Sequence, residues 1–251
     1  MVYDHTVVVL IDFDNFYPNA HQKQNFEYLQ HDFNRIITVA LEMDSLAKYI
    51  HIRLYGGWME DGLWSRLASL LQQEISKSNF FPIVNSQRTG LLYGSIDLAT
   101  SLLSLPSMIW QNTRKQKNGL PRIRLDRAHI CNTCEDNKEI CPFKIIEKVS
   151  RKKGKVCSVT GCNLTNNSVF KVIEQKMVDT ILALDLVFAS EQDHVSALIL
   201  MSDDIDIHPA VALAATRSCK KIVLAQNNAY QADAILAPYT DMGLEFKNWR
   251  D

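Results

Sequence analysis

Two aliphatic runs in this chain each end in a cluster of short acidic side chains. Val7-Val8-Val9-Leu10-Ile11 leads into Asp12-Phe13-Asp14-Asn15, and Ser196-Ala197-Leu198-Ile199-Leu200-Met201 leads into Ser202-Asp203-Asp204-Ile205-Asp206. Carboxylates crowded together stay ionised when a cation offsets their repulsion. A small set of hard oxygen donors favours Mg²⁺ or Mn²⁺. The plainer alternative is that each aspartate caps the helix that follows its strand. A second group of candidates is sulfur: five of the six cysteines fall between Cys131 and Cys162.

The elements that carry these side chains can be read from period and punctuation. Aliphatic runs without polar alternation are strands buried on both faces, as in the centre of a parallel sheet. The acids then lie at the C-terminal edge of that sheet, where open α/β folds bind ligands. Between the two runs, apolar spacing predicts helices over 26–48, 64–76, 96–105 and 170–190, and strands over 51–55 and 80–84. A helix over 209–218, opening on Pro209, and a strand over 220–225 follow, then an unremarkable tail. Alternating strands and helices of these lengths predict an α/β fold with a mainly parallel central sheet and helices on both faces.

Composition narrows the classes. The chain has 251 residues, 47% hydrophobic and 22% charged, with a net charge of −1, which suits one large or two small globular domains. That balance points to neither nucleic acid nor membrane, so any such preference must come from local patches. No signal peptide or membrane span is read, and a cytoplasmic protein is expected.

One stretch departs from the average. Residues 111–167 carry Arg114, Lys115, Lys117, Arg122, Arg124 and Arg127, then Lys144, Lys148, Arg151, Lys152, Lys153 and Lys155. These runs bracket the cysteines, so 111–167 reads as a basic element inserted into a core made of 1–110 and 168–251. Cys131-x₂-Cys134 and Cys157-x₄-Cys162 are pairs of the kind that grip a structural Zn²⁺, with Cys141 or His129 as a substitute ligand. Unligated thiols and an iron–sulfur cluster are the alternatives. Cys219 reads as core. The basic runs can track a phosphate backbone or serve as solvated surface. Trp58, Trp64 and Trp110 can stack on unpaired bases or pack in the core.

Three blocks, in order, match a known family. Asp12-Phe13-Asp14-Asn15 fits Asp-x-x-Asn after the first strand; Lys176, Asp179 and Asp185 fit a Lys-x-x-Asp helix start with a further Asp six residues on; Ser202 to Ile207 fits Ser-Gly-Asp-x-Asp-Phe. The chain resembles the NYN branch of the PIN-like ribonucleases, the group that includes LabA-type bacterial proteins. Asp203 stands where that pattern has glycine, and Ile207 where it has an aromatic residue. The resemblance implies a three-layer α/β/α, Rossmann-like PIN/NYN fold and a metal-dependent endoribonuclease acting on single-stranded or structured RNA. It implies that Asp12, Asp179, Asp204 and Asp206 hold the Mg²⁺ or Mn²⁺, with Asn15 and Ser202 as neutral hydrogen-bonders. Lys176 would contact phosphate or pair with Asp179 one turn along the helix. Asp14, by strand alternation, would face the same side as Asp12, as a further ligand or a cap. The nucleic-acid contacts expected from the insert are Arg114, Lys115, Lys117, Arg122, Arg124, Lys152 and Lys153. Rival readings are a non-catalytic RNA-binding or regulatory module of the same fold, acting through partners, and a structure-specific DNA nuclease.

Overall fold

A computed structural model of the chain describes residues 3–17, 26–85, 90–121, 123–125, 139–151, 156–157, 159–227 and 233–249. In chain order these form β1 (Thr6–Asp12), α1 (Phe13–Phe16), α2 (Glu27–Met43), β2 (Tyr49–Tyr55), β3 (Met59–Glu60), β4 (Leu63–Trp64), α3 (Arg66–Lys77), β5 (Ile83–Asn85), β6 (Gly90–Leu98) and β7 (Arg114–Asn118). They continue as α4 (Pro142–Arg151), α5 (Asn166–Val169), β8 (Lys171–Gln175), α6 (Val178–Glu191), β9 (Val195–Met201), α7 (His208–Arg217), β10 (Lys221–Gln226), α8 (Asp233–Leu236) and β11 (Leu244–Asn248). Two compact units result, one from 1–114 with 175–251 and the other from 115–174.

The first unit is mixed α/β, built on a seven-stranded sheet in the order β11-β10-β9-β1-β2-β6-β5. Every pair is parallel except β5 with β6. All seven residues of β1 are buried. Alternation along β1 splits the core in two: Val7, Val9 and Ile11 pack with α2 and α3 residues such as Phe33 and Leu71, while Val8 and Leu10 pack with Leu182, Leu186 and Val211 of α6 and α7. From β1 the chain winds outward through β2 and β6, then returns to lay β9 against β1's other edge and winds out the opposite way. The order therefore reverses between β1 and β9, and connections leave that point on opposite faces, opening a crevice beyond the strand ends.

Several expected elements differ from those observed. Residues 96–105 do not form a helix: Ile96 to Leu98 finish strand β6, whose Leu92, Ile96 and Leu98 meet the core at period two. Residues 170–190 divide into strand β8 and helix α6, because Met177 adopts a left-handed backbone (φ 64°) between them. The helix expected from Trp64 begins at Arg66, where the Ser65 side chain caps the Ala68 amide, and Trp64 belongs to the β3–β4 hairpin. The helix expected to reach Lys48 ends at Met43. The strand expected over 80–84 lies at Ile83–Asn85, and the tail contributes β11, paired in parallel with β10. Cys219 is exposed after the end of α7, not part of the core.

The second unit holds the β7–β8 ladder, α4 and α5. Its residues 115–174 include 13 Lys and Arg against 6 Asp and Glu, a formal +7, which leaves 14 against 22, or −8, for the remainder. The near-neutral whole is thus the sum of two strongly and oppositely charged parts.

Candidate metal centre

The site begins with the register of β1 on β9. Ile11 lies opposite Met201, so Asp12 and Ser202 are the next residues at the two strand ends, on the face covered by α6 and α7. Both are buried, and the Ser202 hydroxyl donates to Asp12 Oδ2 at 2.9 Å. The Ser202 oxygen in turn accepts the Asp204 amide at 3.1 Å, which turns the chain back toward Asp12. Asp179, in the first turn of α6, completes the group: ligand oxygens of Asp12, Asp179 and Asp204 all lie within 4.8 Å of one another. Asp12 is buried, Asp204 half-buried and Asp179 exposed.

Capping and clustering coexist here. Asp12 caps the one-turn helix α1 through the Asn15 amide, at 3.4 Å, and Asp204 caps the short 3₁₀ turn Ile205–Ile207 through the Asp206 amide, at 2.9 Å. The caps fix each side chain's direction, and the sheet register brings those directions together.

The electrostatics follow from crowding and burial. Burial pushes the Asp12 carboxyl up to about 6 from an ordinary value near 3.8, with the Asp179 charge adding to it and the Ser202 hydroxyl opposing it. Asp179 is raised as well, by burial first and then by Asp204 and Asp206. Asp206 is exposed and does not join the three converging oxygens; it acts on them through its charge.

Other expected site residues are placed as follows. Asn15 is half-buried and gives its backbone amide to Asp12. Lys176 is not on the helix with Asp179 but on the connection before it, its amide bonded to the Thr113 carbonyl at 3.0 Å. Asp14 is not governed by strand alternation, since β1 ends at Asp12. Its carboxylate accepts the Gly57 amide at 3.1 Å and the Gln175 side-chain amide. Asp203 accepts the Asn227 amide at 2.7 Å. Trp58 is fully buried, its indole N–H donating to Leu54, and Trp110 is half-buried; Trp64 is 41% exposed.

In the second unit Lys115, Lys117 and Arg124 are exposed, with Lys117 paired to Glu174 at 3.1 Å. Arg114 belongs to the first unit and pairs with Glu60 at 3.7 Å. Arg122, Lys152, Lys153, Cys131 and Cys134 lie outside the described residues, as does His129. Cys157 and Cys162 share one loop, closed by the Val156–Thr165 bridge and the bond from the Cys157 amide to the Leu164 carbonyl; Cys141 is buried just before α4.

Residue types alone do not disclose some members of the setting. His208 is buried at the start of α7, neither ring nitrogen having a hydrogen-bond partner among the described residues, and burial holds its pKa below the usual histidine value. Arg53, Tyr55 and Asp185 form a buried polar group beside the centre. Asp185 is visible in the sequence as the second aspartate of the helix motif, and Arg53 as a charge within a strand; their pairing with Tyr55 is not. A surface cavity of about 700 Å³ between α3 and β6, lined by Ser69, Gln72, Lys77 and Asp97 among others, contains none of the centre's residues.

Comparison with known proteins adds no relative: no family model, curated protein or solved structure matches this chain. Among the described residues, no helix is long and apolar enough to cross a membrane.

Proposed function

We propose that this protein is a divalent-cation-dependent nuclease of PIN/NYN type that hydrolyses phosphodiester bonds in RNA. The observation that carries the proposal is the meeting of Asp12, Asp179 and Asp204 within 4.8 Å at the crevice where the strand order reverses. Three converging hard oxygen donors fit Mg²⁺ or Mn²⁺, and a cation relieves the repulsion that adds to the raised values of Asp12 and Asp179. Such an ion, when bound, acidifies a water and offsets charge on the phosphate under attack.

The chain's own residues have defined parts. Asp12, Asp179 and Asp204 hold the ion, and Asp206 adds negative charge beside them. Ser202 fixes the Asp12 carboxylate by its 2.9 Å hydrogen bond, leaving Oδ1 to the Asn15 amide. Lys176, on the connection that enters α6, is assigned a contact with the substrate phosphate. The formal +7 of the second unit supports a polyanionic substrate, since a polyanion needs positive surface to approach carboxylates. Lys115, Lys117 and Arg124 supply exposed cations there. Within that unit we assign a structural Zn²⁺ to Cys157 and Cys162 together with Cys131 and Cys134.

The test is cleavage of labelled single-stranded RNA, with DNA of the same sequence alongside, in Mn²⁺. Asp12→Asn and Asp204→Asn each abolish cleavage while the circular dichroism spectrum is kept. Full activity in both folded variants refutes the centre. RNA binding without turnover by the wild type at every divalent ion favours a binding module instead, and faster cutting of the DNA arm moves the assignment to a DNA nuclease.

A further inference from the structure

Helix α6 carries a second aspartate that the centre does not use. Asp185 is fully buried, as are Arg53 at 5% and Tyr55 at 1% exposure. One carboxylate oxygen of Asp185 accepts the Tyr55 hydroxyl at 2.8 Å and lies 3.4 Å from Arg53 Nε; the other accepts the Leu103 amide at 2.7 Å. The Arg53 guanidinium also donates to the Ser101 carbonyl and reaches Asp97 at 4.0 Å, which itself holds His51 Nε2 at 2.5 Å. His51, Arg53 and Tyr55 alternate along β2 and so share one face. Tyr55 is the strand partner of Asp12.

This group does what the rest of α6 cannot. The helix otherwise meets the sheet through Val178, Ile181, Leu182, Leu186 and Ala189, an apolar surface whose burial energy is non-directional. Its N-terminus has no side-chain cap, since Met177 stands there in the left-handed region. A slide of one residue moves the helix about 1.5 Å, and a roll by one position turns it about 100°. Either displaces Asp179, which lies about 9 Å along the axis from Asp185 at six residues' separation. Buried ion pairs add little net stability over well-packed apolar residues, so what this one contributes is direction.

We propose that Asp185, Arg53 and Tyr55 are positioning residues that lock the register of α6 on β2 and thereby hold Asp179 against Asp12 and Asp204. The consequence for cation binding rests on the reading under Proposed function; the lock itself does not.

Two variants separate direction from packing. Arg53→Met with Asp185→Leu replaces the pair by apolar side chains of similar reach, and Tyr55→Phe removes one hydroxyl. Three quantities are measured well below the melting temperature or across it: Mn²⁺ affinity by electron paramagnetic resonance, amide hydrogen exchange over residues 178–182, and the melting temperature. The double variant is expected to fold but melt lower, because the buried Tyr55 hydroxyl and Leu103 amide lose their acceptor, to bind Mn²⁺ about tenfold or more weakly, in the range seen when outer partners of a metal site are removed, and to lose protection over 178–182. Tyr55→Phe shifts affinity and exchange in the same direction by less. A folded double variant with wild-type affinity and wild-type protection overturns the lock. If the double variant does not fold, Tyr55→Phe decides, and unchanged exchange in it overturns the proposal. If the wild type binds no Mn²⁺, the cation centre fails, and the exchange measurement alone still decides the lock.

Discussion

Asp12 is 4% exposed and within 4.8 Å of two other carboxylates, and its behaviour with pH follows from that setting. Its folded-state pKa of about 6 exceeds the ordinary 3.8, so the folded protein binds this proton more tightly than the unfolded chain does. The associated stability is fully present below about pH 4 and is lost as pH rises through about 6, by about 3 kcal/mol in the absence of a cation. Urea titrations of the wild type and Asp12→Asn at pH 4, 5, 6 and 7 are expected to show this slope in the wild type only. Equal slopes would mean that Asp12 is not the group responsible. If the centre holds a cation as proposed, proton and cation compete for one carboxylate, and Mn²⁺ affinity is expected to fall as pH drops through about 6.

At the scale of elements, close contacts set what can be changed. A Cβ on Gly94 in β6 would stand 2.6 Å from the Ile50 carbonyl and 2.5 Å from the Phe81 ring. Gly94→Ala is expected to cost about 1–3 kcal/mol, as overpacked cores do, read as a lower urea midpoint; an unchanged midpoint would show that the β2–β6 pair yields. The same scale explains what the residue pattern makes legible. The aliphatic runs of β1 and β9, five or more residues ending in acid, mark both strands and place Asp12 and Asp204 at their ends, where each also caps the short helical turn that follows. Lys171–Gln175 misleads because its short alternation runs into the longer helical spacing of α6, and nothing in the residue types announces the left-handed Met177. β11 is hidden because Leu244-Glu-Phe-Lys-Asn248 carries few apolar residues at the sheet's edge. Convergence of Asp179 depends on the seating of α6, and the partners of Asp185 come from β2 and the loop after β6, far away in sequence.

For the whole molecule, separated charge is the governing feature. If RNA is the substrate, as proposed, a unit of +7 joined to a remainder of −8 predicts binding that depends strongly on ionic strength, each phosphate contact adding roughly 0.7 to the slope of log affinity against log salt for a single strand. Replacing Lys115, Lys117 and Arg124 together by Gln is expected to flatten that slope by about 2 and to raise KM for RNA while kcat stays near the wild type. An unchanged slope would remove these three from the contact surface. Elemental analysis of protein purified without chelator should find about one zinc per chain; finding none removes the assigned cysteine site.

The placing of β1 between β2 and β9 also bears on how the chain is made. Its two neighbours come from opposite sides of the second unit, so during synthesis one hydrogen-bonding edge of the most buried strand has no partner until Val195–Met201 has left the ribosome. At about 5–20 residues per second that interval lasts roughly 7–30 seconds. An unsatisfied aliphatic edge held open for so long is a ready template for pairing between nascent chains, so yield in a cell should depend on holdase chaperones more than the finished protein's stability suggests.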